Sequence, residues 1–435
     1  MILYSTNNKD LRVPFKEGVF NSLPADKGLY MPVNIPVLDP EFIADLHKYS
    51  LPEIAFRVSK AILNDAIPES DLKAIIDDAI NFNAPVIEIS KGINVLELFH
   101  GPSLAFKDFG ARFMSRVMSY FLKEGEKQLD VLVATSGDTG GAVALGFLGV
   151  PNVRVTILFP RGKVSPIQEL QLTTNGQNIR AIEIDGTFDD CQALVKQAFN
   201  DSDLKERFRL TSANSINISR LIPQTFYYFN AYAQIQRMGY KEVVFSVPSG
   251  NFGNIGAGLL AWKMGLPVRA FLAATNVNDT VPVFLQTGVY KAKPSVQTWS
   301  NAMDVGDPSN WVRIMDMFGG DRSLLKNLLS AYSFSDEETL EAIKFVHKEH
   351  GYIMCPHTAI AWLALKSWIN EHPSDDVAGV FLSTAHPCKF PDIFPAEIAA
   401  EIDIPVQVKD LEGKERLSVS LDRDFEGFKN YLLDS

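Results

Sequence analysis

The stretch Lys241–Trp262, KEVVFSVPSGNFGNIGAGLLAW, constrains the fold of this chain more than any other. Val243, Val244, Phe245 and Val247 form a β-branched and aromatic run that reads as a buried strand. The run stops at Pro248, crosses the glycine-rich Ser249–Gly256 and re-enters an apolar segment of helical character at Ala257–Trp262. Strand, glycine loop and helix together are the unit with which α/β proteins hold a phosphate. The glycines let backbone N–H groups turn inward, and the helix N-terminus adds partial positive charge. Gly250, Gly253 and Gly256 are spaced G-x-x-G-x-x-G rather than G-x-G-x-x-G, and no G-x-x-x-x-G-K-[ST] occurs. A tight turn with no ligand is the competing reading, so the decision rests on the remainder of the chain.

A second unit of the same kind lies at Leu129–Val150. A strand at Val131–Thr135 runs into Ser136–Gly141 and then an Ala/Leu-rich helix. Further strands are expected at Val153–Phe159, Ile179–Ile184, Val268–Thr275 and Val377–Ser383, separated by helical stretches. This alternation predicts parallel sheets with helices on both faces, and ligands at the carboxyl ends of the strands. The first ninety residues read as mixed, mostly helical material, with an amphipathic helix over 70–83 carried by Leu72, Ile75, Ile76, Ala79 and Ile80. The region 290–334 is less regular, and the tail beyond about 400 reads as an edge segment.

Within Val95–Arg116 an apolar run ends at His100-Gly101-Pro102, and a helix is expected to begin near Ser103. Lys107 then falls on the first turns among Ala105, Phe106 and Phe109. Burial and the helix dipole both disfavour an ammonium there, which is the setting of an imine-forming lysine. The plainer alternative is a snorkelling surface lysine paired with Asp108. Thr211–Arg220, TSANSINISR, is a polar loop that serves either as a turn and helix cap or as an anion clamp, with Arg220 giving charge and Asn214 and Ser215 giving donors.

Composition removes several classes of function. A net charge of −11 with no Lys/Arg stripe argues against nucleic acid. No apolar run approaches the length of a membrane span, and the N-terminus has no apolar leader, so a cytoplasmic protein without membrane contact is expected. Cys191, Cys355 and Cys388 form no C-x-x-C, and the seven histidines make no ligand pattern; neither disulfide nor metal is expected.

Six ordered stretches carry a resemblance: LFHGPSLAFKDFG (98–110), ATSGDTGGA (134–142), GTFDDC (186–191), NSINISR (214–220), PSGNFGN (248–254) and LSTAHPCKF (382–390). Together they resemble the threonine synthases, within the tryptophan-synthase-like (fold type II) pyridoxal-phosphate enzymes. FKEGVFNSLPADKGLYMP (15–32) is similar to the N-terminal domain of the longer members. The resemblance implies an α/β fold with two parallel-sheet domains and a mostly helical N-terminal domain. The expected segments are 1–92, a small domain at 93–215 bearing the cofactor lysine, and a large domain at 216–435 bearing the phosphate loop.

The same resemblance implies pyridoxal 5'-phosphate as cofactor, O-phosphohomoserine as substrate, and a monomer or homodimer. Lys107 would hold the cofactor, Gly250, Asn251, Phe252, Gly253 and Asn254 its phosphate, and Thr384 its pyridine nitrogen. Thr135, Ser136 and Thr139 would take the substrate carboxylate; Asn214, Ser215 and Arg220 would clamp its phosphate. Asp138 stands where related fold type II enzymes carry Asn. An amide can donate to the cofactor's phenolate oxygen and an ionised carboxylate would repel it, so Asp138 is either protonated there or has another role. The implied reaction yields threonine and phosphate. A dehydratase or phospho-lyase releasing a 2-oxo acid is the alternative within the fold. A non-catalytic relative and a dinucleotide oxidoreductase stand further off.

Overall fold

The computed structural model describes residues 1–122, 127–373 and 377–434. The N-terminal part contains a small antiparallel sheet of β1 (Ile2–Ser5), β2 (Arg12–Pro14) and β3 (Tyr30–Pro32), with β1 central. Helices follow, among them Leu51–Leu63 and Glu69–Ala79. The second is the amphipathic helix expected over 70–83, and it buries Leu72, Ile75, Ile76 and Ala79. It ends sooner than expected, because Ile80 has already left helical geometry at φ −117° and ψ 64°.

Two sheets then share the rest of the chain. In chain order the strands are β4 (Val86–Ser90), β5 (Ile93–Glu97), β6 (Leu129–Ala134), β7 (Val153–Pro160), β8 (Ile179–Asp185), β9 (Arg209–Ser212), β10 (Glu242–Pro248), β11 (Ala270–Thr275), β12 (Leu329–Ser333), β13 (Val377–Ser383) and β14 (Ser418–Asp422). The larger sheet has the order β12-β11-β10-β13-β5-β4, parallel except for the β4–β5 edge. The smaller has the order β14-β8-β7-β6-β9 and is parallel throughout.

Sheet membership cuts across the segments expected from sequence. β4 lies inside 1–92 and β5 inside 93–215, yet both extend the larger sheet beyond β13. β14 lies inside 216–435 yet pairs with β8 at the edge of the smaller sheet. Hydrophobic pattern identifies a strand but not its partner, and parallel neighbours are joined by long crossovers. The tail is an edge segment as expected, on the sheet remote from it in sequence.

Why these strands read as unbroken apolar runs is visible in the packing. Val131 and Val133 of β6 point into the core under one face, while Leu132 and Ala134 join Ile182, Leu194, Phe428 and Leu432 under the other. Val243, Phe245 and Val247 of β10 divide from Val244 in the same way. Successive side chains alternate faces, and helices cover both, so Leu129–Ala134 of β6 and Val243–Pro248 of β10 are buried throughout. Each fully buried Val, Leu or Phe contributes roughly 1.5–3 kcal/mol.

Candidate active site

The carboxyl ends of β6, β9, β10 and β13, drawn from both sheets, open into one cavity of about 450 Å³. All fourteen residues singled out from sequence line it: Lys107, Thr135, Ser136, Asp138, Thr139, Asn214, Ser215, Arg220, Gly250, Asn251, Phe252, Gly253, Asn254 and Thr384.

Lys107 is the first residue of helix Lys107–Phe121, not a residue one turn inside it. The segment before it is spent on pairing with the chain after β13. Phe106 N–H donates to Thr384 O (2.9 Å), His386 N–H donates to Leu104 O (3.0 Å), and Leu104 takes φ +56°. The helix starts only where this bridge ends. Asp108 is buried and accepts from Ser103 N–H (2.9 Å), so it faces away from the role of a surface partner for Lys107. Burial pushes the Lys107 amine down to about 8; Lys389 and Arg220 act in the same direction and Asp138 opposes them.

The helix after β10, Gly253–Lys263, opens with Phe252 in the left-handed region (φ 58°, ψ 14°), no side-chain cap and no acidic residue in its first turn. Its first N–H groups, Gly253 and Asn254 among them, have no intrahelical acceptor. Asn254 Oδ1 accepts from Tyr227 (2.6 Å) and Tyr228 (2.7 Å), while its Nδ2 is buried without a partner in the described residues. The loop is braced from outside: Asn251 Nδ2 donates to Ser215 Oγ (2.8 Å) and Asn251 Oδ1 accepts from Ser309 N–H (2.6 Å). A Cβ on Gly250 would stand 2.7 Å from Met303 Cα, so the loop approaches that backbone only because the residue is glycine.

After β9 the polar loop is both cap and wall. Asn217 Oδ1 caps helix Ile218–Leu221 by accepting from Ser219 N–H (3.0 Å). Asn214 Nδ2 holds Ala134 O (3.0 Å), and Ser215 Oγ also accepts from Asn310 (3.1 Å). Arg220 is buried, donates from Nη1 to Ala213 O (2.6 Å), and keeps Nε without a partner in the described residues. Burial lowers this guanidinium to about 10.

Asp138 is settled by a residue that sequence reasoning passed over. Lys389 Nζ lies 2.5 Å from Asp138 Oδ1, and Gln168 Nε2 donates to the same oxygen (2.9 Å). Burial alone would raise this carboxyl, but Lys389 and Lys107 together hold it well below the usual carboxylate range. Asp138 is therefore ionised and paired, not protonated. Lys389 sits within the LSTAHPCKF stretch, but no spacing marked it as a partner. His357 was missed as well. It is buried, its Nε2 accepts from Ala302 N–H (3.2 Å), and burial lowers it to about 4, so it lines the cavity as a neutral ring.

Residues 88–383 match the pyridoxal-phosphate dependent enzyme family, residues 3–80 the threonine synthase N terminus, and residues 358–432 the threonine synthase C-terminal family. The chain is 44% identical to threonine synthase from Escherichia coli, with all of both chains covered. The chain belongs to the threonine synthase family. The crystal structure of the Escherichia coli enzyme superposes with a TM-score of 0.91 at 43% identity over the whole of both chains. A family member from Brucella melitensis, described as a PLP-bound threonine synthase, gives 0.92 at 34% identity, covering 99% of this chain and 98% of that one.

Proposed function

We propose that the chain is a pyridoxal-phosphate-dependent lyase that converts O-phosphohomoserine and water to L-threonine and phosphate. The observation that carries the reading is the meeting, in one cavity, of a deprotonation-prone Lys107 and an uncapped helix N-terminus at Gly253. The donors present fit the cofactor: an amine that is partly neutral near pH 8, and the buried, unpartnered Nδ2 of Asn254 beside free helix N–H groups. When bound, pyridoxal phosphate supplies an electron sink for negative charge developing on the substrate carbons.

The residues then divide the work. Lys107 holds the cofactor and, as the free amine, carries protons at Cα and Cβ; no second base stands out in the sequence. Gly250–Asn254 would take the cofactor phosphate on backbone N–H groups. Thr384, which lines the cavity, would face the pyridine nitrogen; a hydroxyl there, unlike a carboxylate, would not favour ring protonation, which suits elimination and replacement. Thr135, Ser136 and Thr139 orient the substrate carboxylate. Arg220, with its spare Nε, receives the phosphate as it leaves Cγ, and Asn214 and Ser215 shape the wall beside it. Asp138 has no direct role at the phenolate oxygen in this reading, since its carboxylate is committed to Lys389.

The action is on a small molecule, and no helix among the described residues is long and apolar enough to cross a membrane. The reading includes a cytoplasmic location, in keeping with three free, buried cysteines, and a monomer or homodimer. Product analysis with O-phosphohomoserine tests the whole. Threonine with equimolar phosphate is expected. Phosphate with 2-oxobutyrate would replace the product assignment with the lyase alternative. Lys107→Ala should reduce turnover to background, and substantial remaining activity would remove Lys107 from its role.

A further inference from the structure

Lys389 is the most enclosed cation at the site, its side chain 0% exposed. Besides its 2.5 Å pairing with Asp138 Oδ1, it donates to Ser103 O at 3.0 Å. Ser103 O also accepts from Gln171 Nε2 (3.0 Å), and Ser103 N–H goes to Asp108 (2.9 Å). The turn that delivers Lys107 is therefore fastened at Ser103 by Lys389, by the helix Pro166–Thr173 and by its own helix start.

The second consequence is electrostatic. The charged and titratable groups facing Lys107 are Asp138 from helix Asp138–Phe147, Lys389 from the turn Pro387–Lys389, Arg220 from helix Ile218–Leu221 and His357 from helix Pro356–Glu371. Asp138 is the only carboxylate among them, and its Oδ1 already receives both Lys389 and Gln168. Among the described residues Lys107 makes no ion pair of its own. An amine facing two other cations, with the one carboxylate among these groups shared with Lys389, has that carboxylate's support for its proton opposed by both cations.

We propose that Lys389 is a positioning residue for the Lys107 amine: by fastening Ser103 and engaging Asp138 it offsets the pull of that carboxylate on the Lys107 proton and keeps Lys107 free to react. This rests on Lys107 being the cofactor-holding amine. The assignment fails separately, if Lys107→Ala retains turnover.

The test reads Lys107 directly. The full-length chain, stripped of cofactor and checked for native near-ultraviolet circular dichroism, is trace-acetylated across pH 6–11, and labelling of Lys107 is followed by mass spectrometry. In K389M the labelling midpoint should rise by about one pH unit or more, because Asp138 becomes available to Lys107. K389R should keep the parent midpoint. D138N/K389M, which removes both charges and leaves neither buried alone, should return near the parent value. An unmoved midpoint in folded K389M overturns the proposal. So does a double variant as high as K389M, which would mean a loosened turn wetting Lys107. A double variant about a unit below the parent also overturns it, since Asp138 would then have been serving Lys107 all along. If K389M does not fold, the double variant and K389R carry the decision.

Discussion

The unit built on β6 and the unit built on β10 share a plan of buried strand, glycine loop and helix, and they satisfy their helix N-termini in opposite ways. In the first, the helix begins with Asp138, and Thr135 Oγ1 accepts from the N–H groups of Gly137 (3.0 Å) and Gly140 (2.8 Å). Gly137 takes φ +135°, and a Cβ there would strike the Gln168 side chain. The helix end is closed from within, and its carboxylate draws in Lys389. In the second, no acid and no side-chain cap occupies the first turn, and Asn251 spends its side chain on Ser215 and Ser309 rather than on the helix end. A glycine loop before a helix is thus an anion site only when the chain leaves its N–H groups unspent.

The first unit is most vulnerable at Asp138. Asp138→Ala leaves Lys389 buried and unpaired, and should cost about 3–5 kcal/mol in urea unfolding of the cofactor-free chain. A loss under about 1 kcal/mol would mean that the pair contributes nothing to closing the first unit. The reciprocal change gives the second unit what the first already has. Gly253→Asp places a carboxylate in the first turn of an uncapped helix, where the added Cβ meets nothing nearer than Asn310 Nδ2 at 3.3 Å. Cofactor affinity should fall roughly 100-fold, about 3 kcal/mol, in equilibrium absorbance titrations. Unchanged affinity would place the cofactor phosphate elsewhere.

Lys107 sharpens the same contrast through pH. Its amine is held down to about 8 by burial, below an unfolded value of about 10.4. A base with a depressed folded value contributes stability that is fully present above the unfolded value and is lost as pH falls through the folded one. The full shift would amount to about 3 kcal/mol, and water in the open cavity screens part of it, leaving roughly 2. The cofactor-free Lys107→Met chain should therefore be more stable than its parent near pH 7, with the difference vanishing towards pH 10. Parallel stability curves for the two chains would show that Lys107 is not desolvated.

How much of this was legible beforehand differs between the two levels. Strands and glycine loops follow from runs such as Val243–Val247, because burial on both faces leaves an unbroken apolar record. Partners do not, and so β4, β5 and β14 fell into segments that their sheets do not respect. At the site, residues carried by contiguous motifs converge on one cavity. Lys389 and His357 do not announce themselves, because each acts through a contact made across more than fifty residues of chain. The ionised state of Asp138 was hidden for the same reason: the charge that fixes it lies 251 positions away, at Lys389.

The smallest effect concerns hydroxyls at corresponding places in the two loops. Thr135 Oγ1 receives two backbone N–H groups, whereas Ser249 Oγ donates to Val247 O (2.8 Å) and supports no helix end. Thr135→Val keeps the shape and strands two donors at the start of a buried helix, at a cost of about 1–2 kcal/mol. Ser249→Ala removes one local bond and should cost under about 1 kcal/mol. Chemical denaturation of the cofactor-free variants measures both. Equal losses would mean that the first helix does not depend on Thr135 for its N-terminus. Its N–H groups would then be as available as those at Gly253, and the distinction between a closed and an open loop would have to rest on Asp138 alone.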